Sequence, residues 1–149
     1  MSRYAIQMND GSVAIMETIG DNVDPADEVA RWPAKEAAKV VSWVEIGPAD
    51  VPQDRAFRNA WKLEGKAIVH DMDKARTAQA AAIRRRRDAG LRRKDAEWLV
   101  AYSRGDMGGA AAVEAERQSL RDIPQKIDAD LKAAKTIDAL KSVWPAGLK

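Results

Sequence analysis

Cysteine is absent from all 149 residues, so neither a disulfide nor a thiolate metal site can form, and the chain suits a reducing compartment. Histidine occurs once, as His70, which leaves no second imidazole for a converging metal site or for triad chemistry. No apolar run approaches the ~18 residues that a membrane-spanning helix needs. Met1 to Gln7 turns polar too early for a secretory leader. Large apolar side chains are scarce as well: the hydrophobic share is 46%, but alanine supplies much of it, with one Phe and two Tyr. Together these absences predict a soluble intracellular protein that has no metal, cofactor or catalytic site and gains part of its burial from a partner or from copies of itself.

Charge is present in quantity but unevenly placed. Residues 74–94 carry nine Lys/Arg against Asp88, whereas residues 1–73 are acidic by five charges and residues 95–149 by one. Such asymmetry lets acidic and basic segments attract one another, within or between copies.

The first seventy residues read as a small β-rich unit with one short helix. Apolar runs over 3–8 and 12–19 flank Asn9-Asp10-Gly11, and an Asp-Gly pair between such runs predicts a type I′ hairpin. Asp24-Pro25 reads as N-cap and first residue of a helix that Trp32-Pro33 closes. Val40 to Ile46 reads as a strand, and Glu64-Gly65 as the turn of a second hairpin. Trp32, Trp43 and Trp61 are the expected core of this unit.

From residue 71 the pattern becomes helical, and the predicted class is α+β with units at 1–70 and 71–149. Residues 73–103 hold no proline and one glycine and are rich in Ala, Arg, Lys, Leu and Glu, which predicts a long helix capped by Asp71 or Asp73. Gly105 to Gly109 predicts a turn, residues 110–123 a second helix, and Pro124 its stop. Ile127, Leu131 and Ala134 follow at helical spacing, and Thr136 caps a last short helix ended by Trp144-Pro145. Pairing a helix of roughly 45 Å with one about half as long leaves Lys74 to Arg87 without a helix of its own chain beside it. An Ala-rich helix is marginal alone in water, so either the β unit or another subunit covers it, and a homo-oligomer is expected. Ile83, Arg84, Arg87, Leu91, Trp98 and Trp144 are the candidate partner-binding residues.

Three local features invite chemistry and have plainer explanations. Seven Arg/Lys between Arg84 and Lys94 could neutralise phosphates, but consecutive residues fan around a helix and no aromatic side chain interleaves them for base stacking. A solvated face or a patch for an acidic protein surface is the leading explanation, and a nucleic-acid-binding module the alternative. His70-Asp71-Met72-Asp73 reads as a strand end followed by a helix cap, with Trp98 in the hairpin seam beside Leu99 or Tyr102. Gly105 to Gly109 lacks the Gly-Lys-Ser/Thr ending of a phosphate loop.

A resemblance covers residues 54–145, about 60% of the chain. Asp54-Arg55-Ala56-Phe57-Arg58-Asn59-Ala60-Trp61-Lys62-Leu63, then Ile68-Val69 and Asp71 to Arg76, lead into an Arg-rich helix and Gly105-Asp106. Gln118 to Pro124 and a close at Leu140 to Pro145 complete the pattern. This resembles tail assembly chaperones and tail-fibre assembly proteins of tailed bacteriophages. The resemblance implies a non-enzymatic role: binding tail or tail-fibre subunits in the host cytoplasm during assembly, or remaining in the virion tail. The stretch between Pro124 and Trp144 is longer and more charged than in typical tail-fibre chaperones, which leaves a structural tail component open beside the chaperone.

Overall fold

The structure is a computed structural model that describes residues 2–20 and 23–148. Helix makes up 57% and strand 17% of the described residues, and every strand pairing among them is antiparallel, so the fold is α+β. Two compact units divide it, Met1–Ala75 and Arg76–Lys149.

The first unit is built on a three-stranded sheet. Strand β1 (Arg3–Met8) is central, between β2 (Val13–Glu17) and β3 (Val40–Glu45). Ala5 pairs with Ile15 and Val44 and faces Ile46, Trp61 and Ile68, the last two from a separate hairpin of β4 (Trp61–Glu64) and β5 (Ala67–His70). Because side chains alternate across a strand, Ile6 and Met16 take the other face. There they meet Val29 of helix α1 (Pro25–Ala30) and Ala37 of a second short helix, α2 (Ala34–Ala37), with Trp32 between the two helices. The sheet is thus covered on both sides. Asp24 caps α1 as expected, its carboxylate accepting from the Ala26 N–H at 2.8 Å. The helix over 34–37 is an addition, since Pro33 closes one helix and opens the next.

Three details differ from expectation. The first turn is longer than a two-residue loop: the Gly11 N–H bonds to the Met8 carbonyl, the Asp10 carboxylate accepts from Ser12, and Gly11 follows the turn at φ 75°. That is the arrangement of a type I turn followed by a left-handed glycine. The second hairpin turns on Gly65-Lys66, one residue later than expected, with Gly65 at φ 63°. Trp43 is 41% exposed instead of in the core, because β3 is an edge strand; beyond it the pairing slips at Met8↔Val40, leaving Val41 unpaired as a bulge.

Helix α3 (Met72–Ser103), which belongs to the second unit from Arg76 on, turns back through Gly105, at φ 73°, into α4 (Met107–Arg121). The helix α4 includes Gly108 and Gly109 where a turn was expected. Asp106 caps it by accepting from the Gly109 N–H at 2.8 Å, which offsets the weak helix preference of glycine. Nor does Pro124 simply stop a helix. The chain breaks at Asp122 and restarts at once as α5 (Ile123–Ala133), with Pro124 in its first turn, where the missing N–H costs nothing. Helix α6 (Ile137–Ser142) follows, capped by Thr136 as expected, and a 3-10 turn over Ala146–Leu148 ends the described chain.

The predicted bare half of α3 is therefore not bare. Arg76 donates to the carbonyls of Leu131 at 3.1 Å and Ala134 at 2.8 Å, at the end of α5. Gln79 donates to the Val143 carbonyl at 2.9 Å and Arg86 to that of Leu148 at 3.2 Å. Helix α5 thus covers α3 in one direction and the segment after it returns in the other. Ile83, Ile123, Ile127, Leu131, Ala134, Leu140 and Leu148 are buried in this unit. The side-chain donors on α3 satisfy carbonyls that helix ends otherwise leave orphaned.

Candidate functional site

Ion pairs close the seam of the α3–α4 hairpin. Lys94 bridges Glu97 at 2.6 Å and Glu116 at 2.5 Å, and both carboxylates hold its ammonium above the usual lysine range, Glu116 first. Arg117 reaches Asp95 across the seam at 2.7 Å and Glu114 on its own helix. Its guanidinium lies 5.7 Å from the centre of the Trp98 ring, within cation–π range. Trp98 in turn stacks on Tyr102, ring centres 5.0 Å apart and planes 14° from parallel. The Arg121 hydrogen bond, with Arg117 nearby, holds the Glu114 carboxyl below the ordinary carboxylate range.

The six predicted partner-binding residues do not form one surface. Ile83 is fully buried within its own chain, at 0% exposure, because the C-terminal helices return along α3, and it cannot meet a partner in this fold. Arg87 is half-buried and paired with its neighbour Asp88 at 2.7 Å. Leu91 is half-buried, and Trp98 belongs to the seam with Tyr102, leaving Leu99 outside. Arg84 is exposed and has no ion pair among the described residues. Trp144 is 40% exposed beside Val143 and Ile127, on a shallow polar cavity of about 290 Å³.

Two other surfaces emerge. The free end of the hairpin carries Leu99, Val100 and Tyr102 in the last turns of α3 and Met107 at the start of α4, all between 47% and 61% exposed. Leu99 and Tyr102 were visible in the sequence as seam candidates; nothing in the spacing told which would face outward. The second surface is a groove of about 510 Å³ between α3, α4 and the C-terminal turn. Gly90, Leu120, Ile123, Pro145 and Leu148 line it with apolar surface, and Arg86, Arg93 and Lys94 with charge, against Glu97 and Glu116.

The remaining sequence candidates resolve into structural roles. The Trp61 indole N–H donates to His70 Nε2 at 3.2 Å across the β4–β5 hairpin. Asp71 caps α3, accepting from the N–H groups of Asp73 at 3.0 Å and Lys74 at 3.1 Å, which holds its carboxyl below the ordinary range. Among the described residues no three His, Asp or Glu side chains converge as metal ligands would, and no helix is long and apolar enough to cross a membrane. Compared with protein-family models, curated proteins and solved structures, the chain finds no match in any of the three.

Proposed function

We propose that this chain is a non-enzymatic bacteriophage tail protein that binds tail or tail-fibre subunits, as an assembly chaperone or as a retained component of the tail. The phage assignment rests on the motif resemblance over residues 54–145. The observation that carries the binding role is the apolar end of the α3–α4 hairpin, where Leu99, Val100, Tyr102 and Met107 lie open at one end of an ion-paired arm. Aromatic residues and methionine are enriched where proteins meet, and four large apolar side chains this exposed within nine residues make this end the best candidate for a partner. Self-association through this same end, and not through the N-terminal half of α3, is our account of an oligomer.

Co-expression with the adjacent tail-fibre gene tests the reading, with mass spectrometry of purified particles beside it. A co-purifying complex, or the protein found in virions, supports it; failure of both sinks it. Stoichiometric presence in the particle selects a tail component over a transient chaperone.

The runner-up is nucleic-acid binding through the basic stretch, favoured by one observation. Among the described residues Arg84, Arg85, Arg92 and Arg93 have no acidic partner. That reading demands micromolar or tighter binding to DNA or RNA with a steep salt dependence.

A further inference from the structure

The geometry points to an acidic peptide segment of a partner protein, with an apolar side chain next to a carboxylate, as the occupant of the groove between α3, α4 and the C-terminal turn. This rests on the reading of the chain as a protein-binding component and names the chemistry of what it binds.

Charge and shape carry the inference. The groove has the volume of a small-ligand site, with an apolar floor of Gly90, Leu120, Ile123, Pro145 and Leu148. Its charged residues are not equivalent. Lys94 pairs with both Glu97 and Glu116, so that end of the groove offers no free cation and is net negative by one charge. Among the described residues Arg86 donates its Nε–H to the Leu148 carbonyl and has no ion pair, and Arg93 has none either. These two arginines are two helical turns apart and so share one face of α3. Among the described residues neither guanidinium is ion-paired, and both lie beside apolar surface, although Glu97 and Glu116 line the same groove. A guanidinium takes a carboxylate bidentately, and apolar walls next to it reward a side chain that DNA does not possess. No aromatic side chain lines the groove for base stacking, which favours peptide over nucleic acid.

Selection from a random peptide display library against the full chain tests this without presupposing a sequence. The expected outcome is enrichment of acidic peptides with Leu, Ile or Phe beside Asp or Glu. The selected peptide, made synthetically, should bind Arg93→Glu at least tenfold more weakly. Arg84→Glu makes the same charge change on the opposite face of α3, about 180° away, and should cost less than threefold in 0.15 M salt, where screening is short-ranged. Arg93 is exposed and has no ion pair among the described residues, so its variant should fold; Arg86→Lys, which can still reach the Leu148 carbonyl, is the second variant and should give an intermediate loss. No enrichment, enrichment of non-acidic peptides, or equal losses in the Arg84 and Arg93 variants overturns the proposal. So does tighter binding of single- or double-stranded DNA that depends on Arg93, which would hand the groove to nucleic acid. Peptide binding without any tail subunit co-purifying would end the phage assignment and leave the groove standing; co-purification that survives Arg93→Glu would do the reverse.

Discussion

Arg117 illustrates how few side chains hold the hairpin together. Its guanidinium ties Asp95 to Glu114 and lies on Trp98, while its buried Nε has no hydrogen-bond partner among the described residues. Arg117→Met keeps the aliphatic stem but loses both carboxylates, and should lower stability by about 1–2 kcal/mol in denaturant unfolding. Asp71 offers a different test. Asp71→Ala removes the α3 cap and should cost about 1 kcal/mol, whereas Asp71→Asn keeps the acceptor and costs less. Both Asp71 and Glu114 are held below the ordinary carboxylate range, so the folded state binds fewer protons than the unfolded chain around that range. Their contribution is complete above the unfolded values, roughly 3.9–4.3, and disappears as pH falls through the lower folded ones. The stability gap between the native chain and Asp71→Asn should therefore be constant above about pH 5 and close as the pH falls toward 2 in thermal melts.

The element scale shows what the sequence could and could not reveal. Elements whose ends are fixed by local chemistry were legible: Asp24-Pro25 at α1, Asp71 at α3, Thr136 at α6, and the apolar face of α5 at Ile127, Leu131 and Ala134. Elements that depend on what packs against them were not. A proline suits both the end of one helix and the first turn of the next, so Pro124 by itself does not tell stop from restart. That ambiguity at one joint decided whether Ile83 faced solvent or the returning α5 and α6. It also produced the expectation of a bare helix half. The candidate surface suffered most, because which large side chains near the end of α3 stay exposed, here both Leu99 and Tyr102, depends on the rotation of α3 against α4. Two substitutions check this account. Ile83→Ala should cost about 2–5 kcal/mol, as for a fully buried side chain, whereas on a bare helix it would be nearly neutral. Pro124→Ala should change stability by less than about 1 kcal/mol, because the residue lies in a first turn where its ring is tolerated but not required.

At the scale of the whole molecule, the basic run and the apolar hairpin end are separate assets. Within the second unit, the C-terminal helices satisfy α3 over its first half and leave its last turns, with the start of α4, open. The chain therefore needs no second copy to complete that core. In the proposed function, a partner would be recruited by Leu99, Tyr102 and Met107 or by the arginine-edged groove.

The most direct test is quantitative capture of tail subunits from phage-infected cells by the native chain and by a Leu99→Glu, Met107→Glu double variant. Both substituted side chains are exposed, so the variant should melt within a few degrees of the native protein. The account predicts that the native chain retains a tail or tail-fibre subunit and that the variant retains at least tenfold less. Equal capture by both would remove the hairpin end from the mechanism, and capture of no tail subunit by the native chain would contradict the proposed function itself.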